Sequence, residues 1–147
     1  MDAEQTLIHR PDEDIEEAIT DLIRSYRPLR ASRPFFTFAA THGQVKFMGN
    51  IRTPQERHVL AERLPHIAGV RGIDLSELYD DEQLRFAVGQ VLPYGVYATL
   101  QYGAVALTGR LPEGMSAESL IDQVRAVAGV RRVGAELQSP QPQPAVG

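Results

Sequence analysis

The stretch HGQVKFMGNI at residues 42–51 returns sixty positions later as YGAVALTGRL at residues 102–111. Gly43 matches Gly103, Val45 matches Val105, Phe47 matches Leu107, Gly49 matches Gly109 and Ile51 matches Leu111. At the same offset Ile67-Ala68-Gly69-Val70-Arg71 matches Val127-Ala128-Gly129-Val130-Arg131. Two separated blocks that share one offset mark an internal duplication, and a duplication constrains architecture before any single element does.

The elements of the first copy follow from spacing. Ile15, Ile19, Leu22, Ile23 and Tyr26 fall on one helical face, so residues 12–26 read as an amphipathic helix. Asp12 or Asp14 is placed to cap it, and the other acids of the first turn suit the positive end of the helix dipole. Pro28 and Pro34 make residues 27–34 an expected connector. Residues 35–41 and 45–51 read as strands joined by a tight turn at His42-Gly43. Thr53-Pro54-Gln55-Glu56 has the spacing of a capping box with proline at the first helical position. Val59, Leu60, Leu64 and Ile67 form the apolar stripe of that helix, which Pro65 should end near Leu64. Residues 70–78 then return as a third strand.

The second copy repeats the order. A helix opens at Asp81-Glu82 with Leu84, Val88, Val91 and Leu92 on its inner face. A hairpin covers residues 96–101 and 104–111, Ser116 caps a helix, and residues 131–137 form the last strand. The first copy carries nine extra residues between its first helix and first strand. The chain thus reads as α+β, two tandem αββαβ units at residues 12–78 and 79–138. An irregular lead-in (1–11) precedes them and a disordered, proline-rich tail (139–147) follows.

Composition excludes more than it assigns. Apolar residues at 43% and charged residues at 23% belong to a globular chain. With no cysteine there is no disulfide, thiol nucleophile or thiolate metal site. A net charge of −4 argues against nonspecific nucleic-acid binding. No secretory leader and no membrane span is apparent, so the expected location is cytoplasmic, with peripheral membrane association as an option. Phosphate-loop, zinc-protease, dinucleotide and nucleophile-elbow motifs are absent from the sequence, so neither enzyme activity, cofactor nor metal is expected. The scattered histidines His9, His42, His58 and His66 read as surface residues.

The motif pair G-x-V-x-[FL]-x-G and A-G-V-R-x-[IV], present in each copy, resembles the BON domain, named for bacterial osmotic-shock and nodulation proteins. The motif glycines are Gly43, Gly49 and Gly69 in the first copy and Gly103, Gly109 and Gly129 in the second. The resemblance implies a three-stranded sheet backed by two helices in each unit. It also implies non-enzymatic binding, in many members of phospholipid membranes. Some members are cytoplasmic, where one that is paired with a peptidoglycan-binding-type module senses potassium. An αββαβ unit also occurs in ring-building domains of envelope machines and in KH-like RNA-binding folds. The KH likeness fails for want of a basic G-x-x-G loop between two helices.

Two readings of function follow. In the first, Arg24, Arg27, Arg30 and Arg33 bind a phospholipid headgroup or another anionic ligand, because guanidinium forks match phosphate oxygens. The bland alternative is that they neutralise the acidic first helix or the opposite copy. In the second reading the chain is a protein–protein assembly scaffold. Its docking surface would be the sheet face that helices leave open, offering Tyr97, Thr99, Ala104, Ala106 and Thr108 in the second copy, with an oligomer as one outcome. The glycines are read as backbone devices. Gly43 and Gly103 serve turns, Gly69 and Gly129 serve helix ends in the left-handed conformation, and Gly49 and Gly109 allow a helix to pack closely across the sheet.

Overall fold

The computed structural model describes residues 11–140. The expected lead-in, apart from Pro11, and the expected tail beyond Pro140 lie outside those residues. The chain divides into two compact units between Glu82 and Gln83.

In the first unit the order is α1 (Asp12–Ser25), α2 (Arg27–Ser32), a 3₁₀ turn (Arg33–Phe35), β1 (Phe36–Thr41) and β2 (Gln44–Ile51). Then follow α3 (Pro54–Arg63), a second 3₁₀ turn (Leu64–His66) and β3 (Gly72–Asp80). The sheet order is β1-β2-β3, with β1 antiparallel and β3 parallel to β2. Parallel β2 and β3 need a crossover, and α3 supplies it. Ile15, Ile19 and Ile23 recur every four residues on α1, and all three are buried. They share a core with Leu29, Phe36, Val45, Phe47, Ile51, Val59, Leu60, Leu64 and Leu78. Phe47 packs between Phe36 and Phe38, with ring centroids 5.6 and 5.3 Å apart.

The boundary falls within α4 (Asp81–Gly89), after which the second unit has β4 (Val96–Gln101), β5 (Ala104–Arg110), α5 (Ala117–Arg125) and β6 (Arg132–Gln138). Its sheet repeats the first, in the order β4-β5-β6. Val88, Val96, Val105, Leu107, Leu111, Leu120 and Val124 form its core. The α+β reading with two three-stranded, helix-backed sheets therefore holds.

Three local expectations are corrected. Residues 27–32 are helix, not connector. Pro28 stands in the first turn, where a backbone N–H has no intrahelical partner, so the proline removes nothing and pre-sets φ. Arg30 N–H bonds Tyr26 O at 3.0 Å to close that turn. Leu29 and Ser32 are its buried residues. Second, neither Asp12 nor Asp14 caps α1: Pro11 is the N-cap residue and makes no side-chain cap. Third, strand alternation puts Val45, Phe47, Gly49 and Ile51 on one face of β2 and Lys46, Met48 and Asn50 on the other, yet Asn50 is buried (3% exposed).

The α3 start is as expected, with both halves of the Thr53/Glu56 capping box formed and Pro54 at the helix start. Ser116 likewise caps α5, its hydroxyl accepting from Ser119 N–H at 3.1 Å.

Candidate functional site

The hairpin turns show why the two motif blocks of each copy occur together. His42 and Gly43 both have positive φ, 53° and 80°, and Tyr102 and Gly103 repeat this at 49° and 76°. Two consecutive left-handed residues match the right-handed twist of the flanking strands. In each unit the turn is latched to the A-G-V-R loop. Arg71 N–H donates to Gly43 O at 2.8 Å, and Arg131 N–H donates to Gly103 O at 2.7 Å. Gly69 and Gly129, at φ 93° and 95°, sit in those loops. They lie beyond the helices proper, which end at Arg63 and Arg125. The carboxylate of Asp12 holds the first hairpin from the other side. It accepts from His42 N–H at 2.8 Å and Gly43 N–H at 3.0 Å. Glu16 accepts from Ala40 N–H at 3.0 Å. Part of the acidic cluster of α1 thus anchors the sheet instead of capping the helix.

Gly49 and Gly109 do face a close approach, but not by a helix. A Cβ on Gly49 would stand 2.5 Å from Phe35 O, and one on Gly109 would stand 2.1 Å from Gly95 O. The intruder is the entry of the neighbouring strand, since Gly49 pairs with Phe36 and Gly109 with Val96. Their φ values of 124° and 112° are open to glycine and strained for other residues.

A buried polar network closes the first unit, and beyond the Thr53/Glu56 capping box its links are long-range and leave no signature in local sequence. Glu56 is 1% exposed, and its carboxylate accepts from Arg52 N–H at 3.0 Å, Thr53 N–H at 2.8 Å and the Thr53 hydroxyl at 3.1 Å. The Ser32 hydroxyl, brought in by α2, also donates to it. Beside it Arg57 donates to Asp80 at 2.5 Å and to Leu78 O at 2.6 Å, tying α3 to the end of β3. In the second unit Ser119 stands at the α5 position that Glu56 takes in α3, so this carboxylate has no counterpart there.

The four arginines are not one cluster. Arg24 lies in the last turn of α1, Arg30 in the last turn of α2, and Arg33 in the 3₁₀ turn. With Thr20 and Ile23 these three line a concavity of about 590 Å³. Arg27 is not among its lining residues. Arg33 is pinned, its Nη1 donating to Phe36 O at 2.7 Å and its guanidinium lying 5.2 and 4.9 Å from the Phe36 and Phe38 ring centroids. Among the described residues no acid pairs with Arg24, Arg27 or Arg30.

Each sheet has an outward face. In the first unit exposed Thr37, Ala39, Lys46 and Met48 alternate with core residues. Lys46 pairs with Glu77 at 2.5 Å, a hydrogen bond and charge that raise the lysine pKa. Asp74 is lowered by hydrogen bonds from the Ser76 hydroxyl and N–H. In the second unit the register stacks Thr99, Ala106 and Gly134 in one row and Tyr97, Thr108 and Glu136 in the next. All six are exposed, and Tyr97 retains 66% of its surface; Ala104 is half-buried. This face carries no ion pair among the described residues.

Elsewhere His58 pairs with Glu62 at 3.5 Å on an exposed helix face. Among the described residues no group of three potential metal ligands converges, and no helix is long and apolar enough to cross a membrane.

These features define a class, an α+β protein of two tandem units, each a three-stranded sheet backed by helices. No protein-family model and no curated protein matches the chain. Among solved structures it is similar to the C-terminal domain of CdsD, the structural protein of the Type III secretion system of Chlamydia trachomatis. The TM-score is 0.72 and the identity 17%, over 90% of this chain and 68% of that one. Another CdsD structure matches at a TM-score of 0.38 and 13% identity, over 88% of this chain and 94% of that one, and carries no argument. At 17% identity the first likeness establishes shared fold and nothing finer.

Proposed function

We propose that this chain is a non-catalytic assembly module, a BON-like tandem repeat that docks protein through the open sheet face of its second unit. The observation that carries the reading is that face. Its central row, Thr99, Ala106 and Gly134, is small enough for another sheet or helix to approach, and Tyr97 stands beside it as an exposed aromatic anchor. Aromatic side chains are enriched at interface cores, and Glu136 is the charged member of these two rows, suited to the polar rim of an interface. The partner we infer is a second copy of the chain. CdsD, whose fold it shares, is a structural protein of a secretion system, which supports assembly over the binding of lipid as the main role.

The test is sedimentation velocity across a concentration series, with Ala106→Arg and Tyr97→Ser as variants. Both positions are exposed, so the substitutions should leave stability within about 0.5 kcal/mol of the parent. Mass that rises with concentration, and falls back in the variants, is the expected result. A monomer at every concentration contradicts self-assembly.

A further inference from the structure

We propose that the concavity between α1 and α2 of the first unit binds a phosphate group. This rests on a separate surface from the assembly face and stands or falls alone.

Arg24, Arg30 and Arg33 surround the concavity, whose remaining lining is Thr20 and the buried Ile23. No carboxylate is among those lining residues. The acids of α1 nearest in sequence to Arg24, Glu17 and Asp21, make no ion pair with it. Asp12 and Glu16 are committed to the β1–β2 hairpin.

Arg24 and Arg30 stand in last helical turns, and complementing a helix dipole is the ordinary role of such residues. The charge balance leaves a surplus. A helix C-terminus carries about half a negative charge, so two ends offset about one of the three cations. Glu17 and Asp21 of α1 lie outside the lining, which itself keeps the positive charge that a phosphate monoester, at about −1.5 to −2 near neutral pH, requires.

Arg33 is held in place before any ligand arrives, by its bond to Phe36 O and by the Phe36 and Phe38 rings. A pre-placed guanidinium loses less side-chain freedom on binding. The volume, about 590 Å³, lies in the ordinary range of small-ligand sites. Two of the three arginines come from the segment by which the first copy exceeds the second, so the site belongs to one unit only.

A phosphate monoester reaches such a site either free in solution or as a lipid headgroup, and the experiment separates the two. The ¹⁵N-labelled full chain is titrated with inorganic phosphate and with glycerol phosphate at constant ionic strength, following arginine Nε–H resonances. In parallel it is sedimented with phosphatidylcholine vesicles with and without phosphatidic acid. Variants are Arg24→Gln, Arg30→Gln and, as a charge-matched control outside the lining, Arg27→Gln. Amide spectra verify that each variant is folded.

The expected result is saturable shifts at Arg24, Arg30 and Arg33 but not Arg27. Each pocket variant should weaken binding roughly tenfold or more, the ordinary loss for a charge-assisted contact. Binding only to phosphatidic acid vesicles, lost in the same variants, assigns the phosphate to a headgroup. Binding of the soluble esters assigns it to a free ligand. Loss in Arg27→Gln equal to that in Arg24→Gln overturns the proposal, as does the absence of saturable binding in every arm.

Discussion

Removing the Glu56 side chain tests the packing account of the first unit. In Glu56→Ala four donors lose their acceptor: the Ser32 hydroxyl, Arg52 N–H, Thr53 N–H and the Thr53 hydroxyl. Arg52 is exposed and Thr53 is half-buried, so water can reach them, and the loss there is that of a helix cap, about 1 kcal/mol. Ser32 has no exposure at all, and losing the bond from its hydroxyl to the Glu56 carboxylate costs about 1–3 kcal/mol. The emptied volume adds about 1 kcal/mol. The sum, about 3–5 kcal/mol, is a large part of the 5–15 kcal/mol typical of a folded domain. At about 4–8 °C per kcal/mol for a unit of this size, the melting point should fall by more than about 12 °C.

The chain has no tryptophan, so urea unfolding is best followed by circular dichroism together with amide cross-peaks of Gly43 and Gly69 in one unit and Gly103 and Gly129 in the other. The first pair should be lost at lower urea in the variant. Ser32→Ala/Glu56→Ala should cost less than the two single losses added, because both single variants lose the same Ser32–Glu56 bond. A Glu56→Ala loss under about 1 kcal/mol, or an additive double variant, would refute the network as a closing element.

Two further perturbations probe the hairpins. Gly109→Ala forces a Cβ into the Gly95 carbonyl at a left-handed φ and should destabilise by more than about 2 kcal/mol, whereas Gly134→Ala, with nothing within 4 Å, should be near neutral; thermal melts of the pair decide it. Asp12→Ala removes the acceptor of His42 and Gly43 N–H and should speed their hydrogen exchange about tenfold while leaving Tyr102 and Gly103 unchanged.

Much of the fold was legible because its signals are local. The Thr53-Pro54-Gln55-Glu56 start, the Ser116 cap and the strand alternation around Val45 and Phe47 each depend on a few neighbouring residues. What the sequence hid depends on residues far apart. Pro28 and Pro34 look like breakers until their place in a first turn is known. Glu56 was readable as half of a capping box, but its burial arises from Ser32 on α2, the segment read as a connector. Asp12 looked like a cap because a partner thirty residues away, the hairpin turn, leaves no trace in its neighbourhood. Gly49 and Gly109 signalled a close approach correctly, while the identity of the intruder required the register. Of the four arginines, spacing alone gave no reason to separate Arg27 from the other three, which takes the bend between α1 and α2 to see.

The assembly reading is tested most directly by sedimentation velocity of the full chain from micromolar to high-micromolar concentration, beside Ala106→Arg and Tyr97→Ser. The account predicts mass above the monomer that grows with concentration and is lost in both variants while their melting points hold. Association unchanged by either substitution would move the interface away from the second sheet. A monomer throughout would contradict self-assembly altogether.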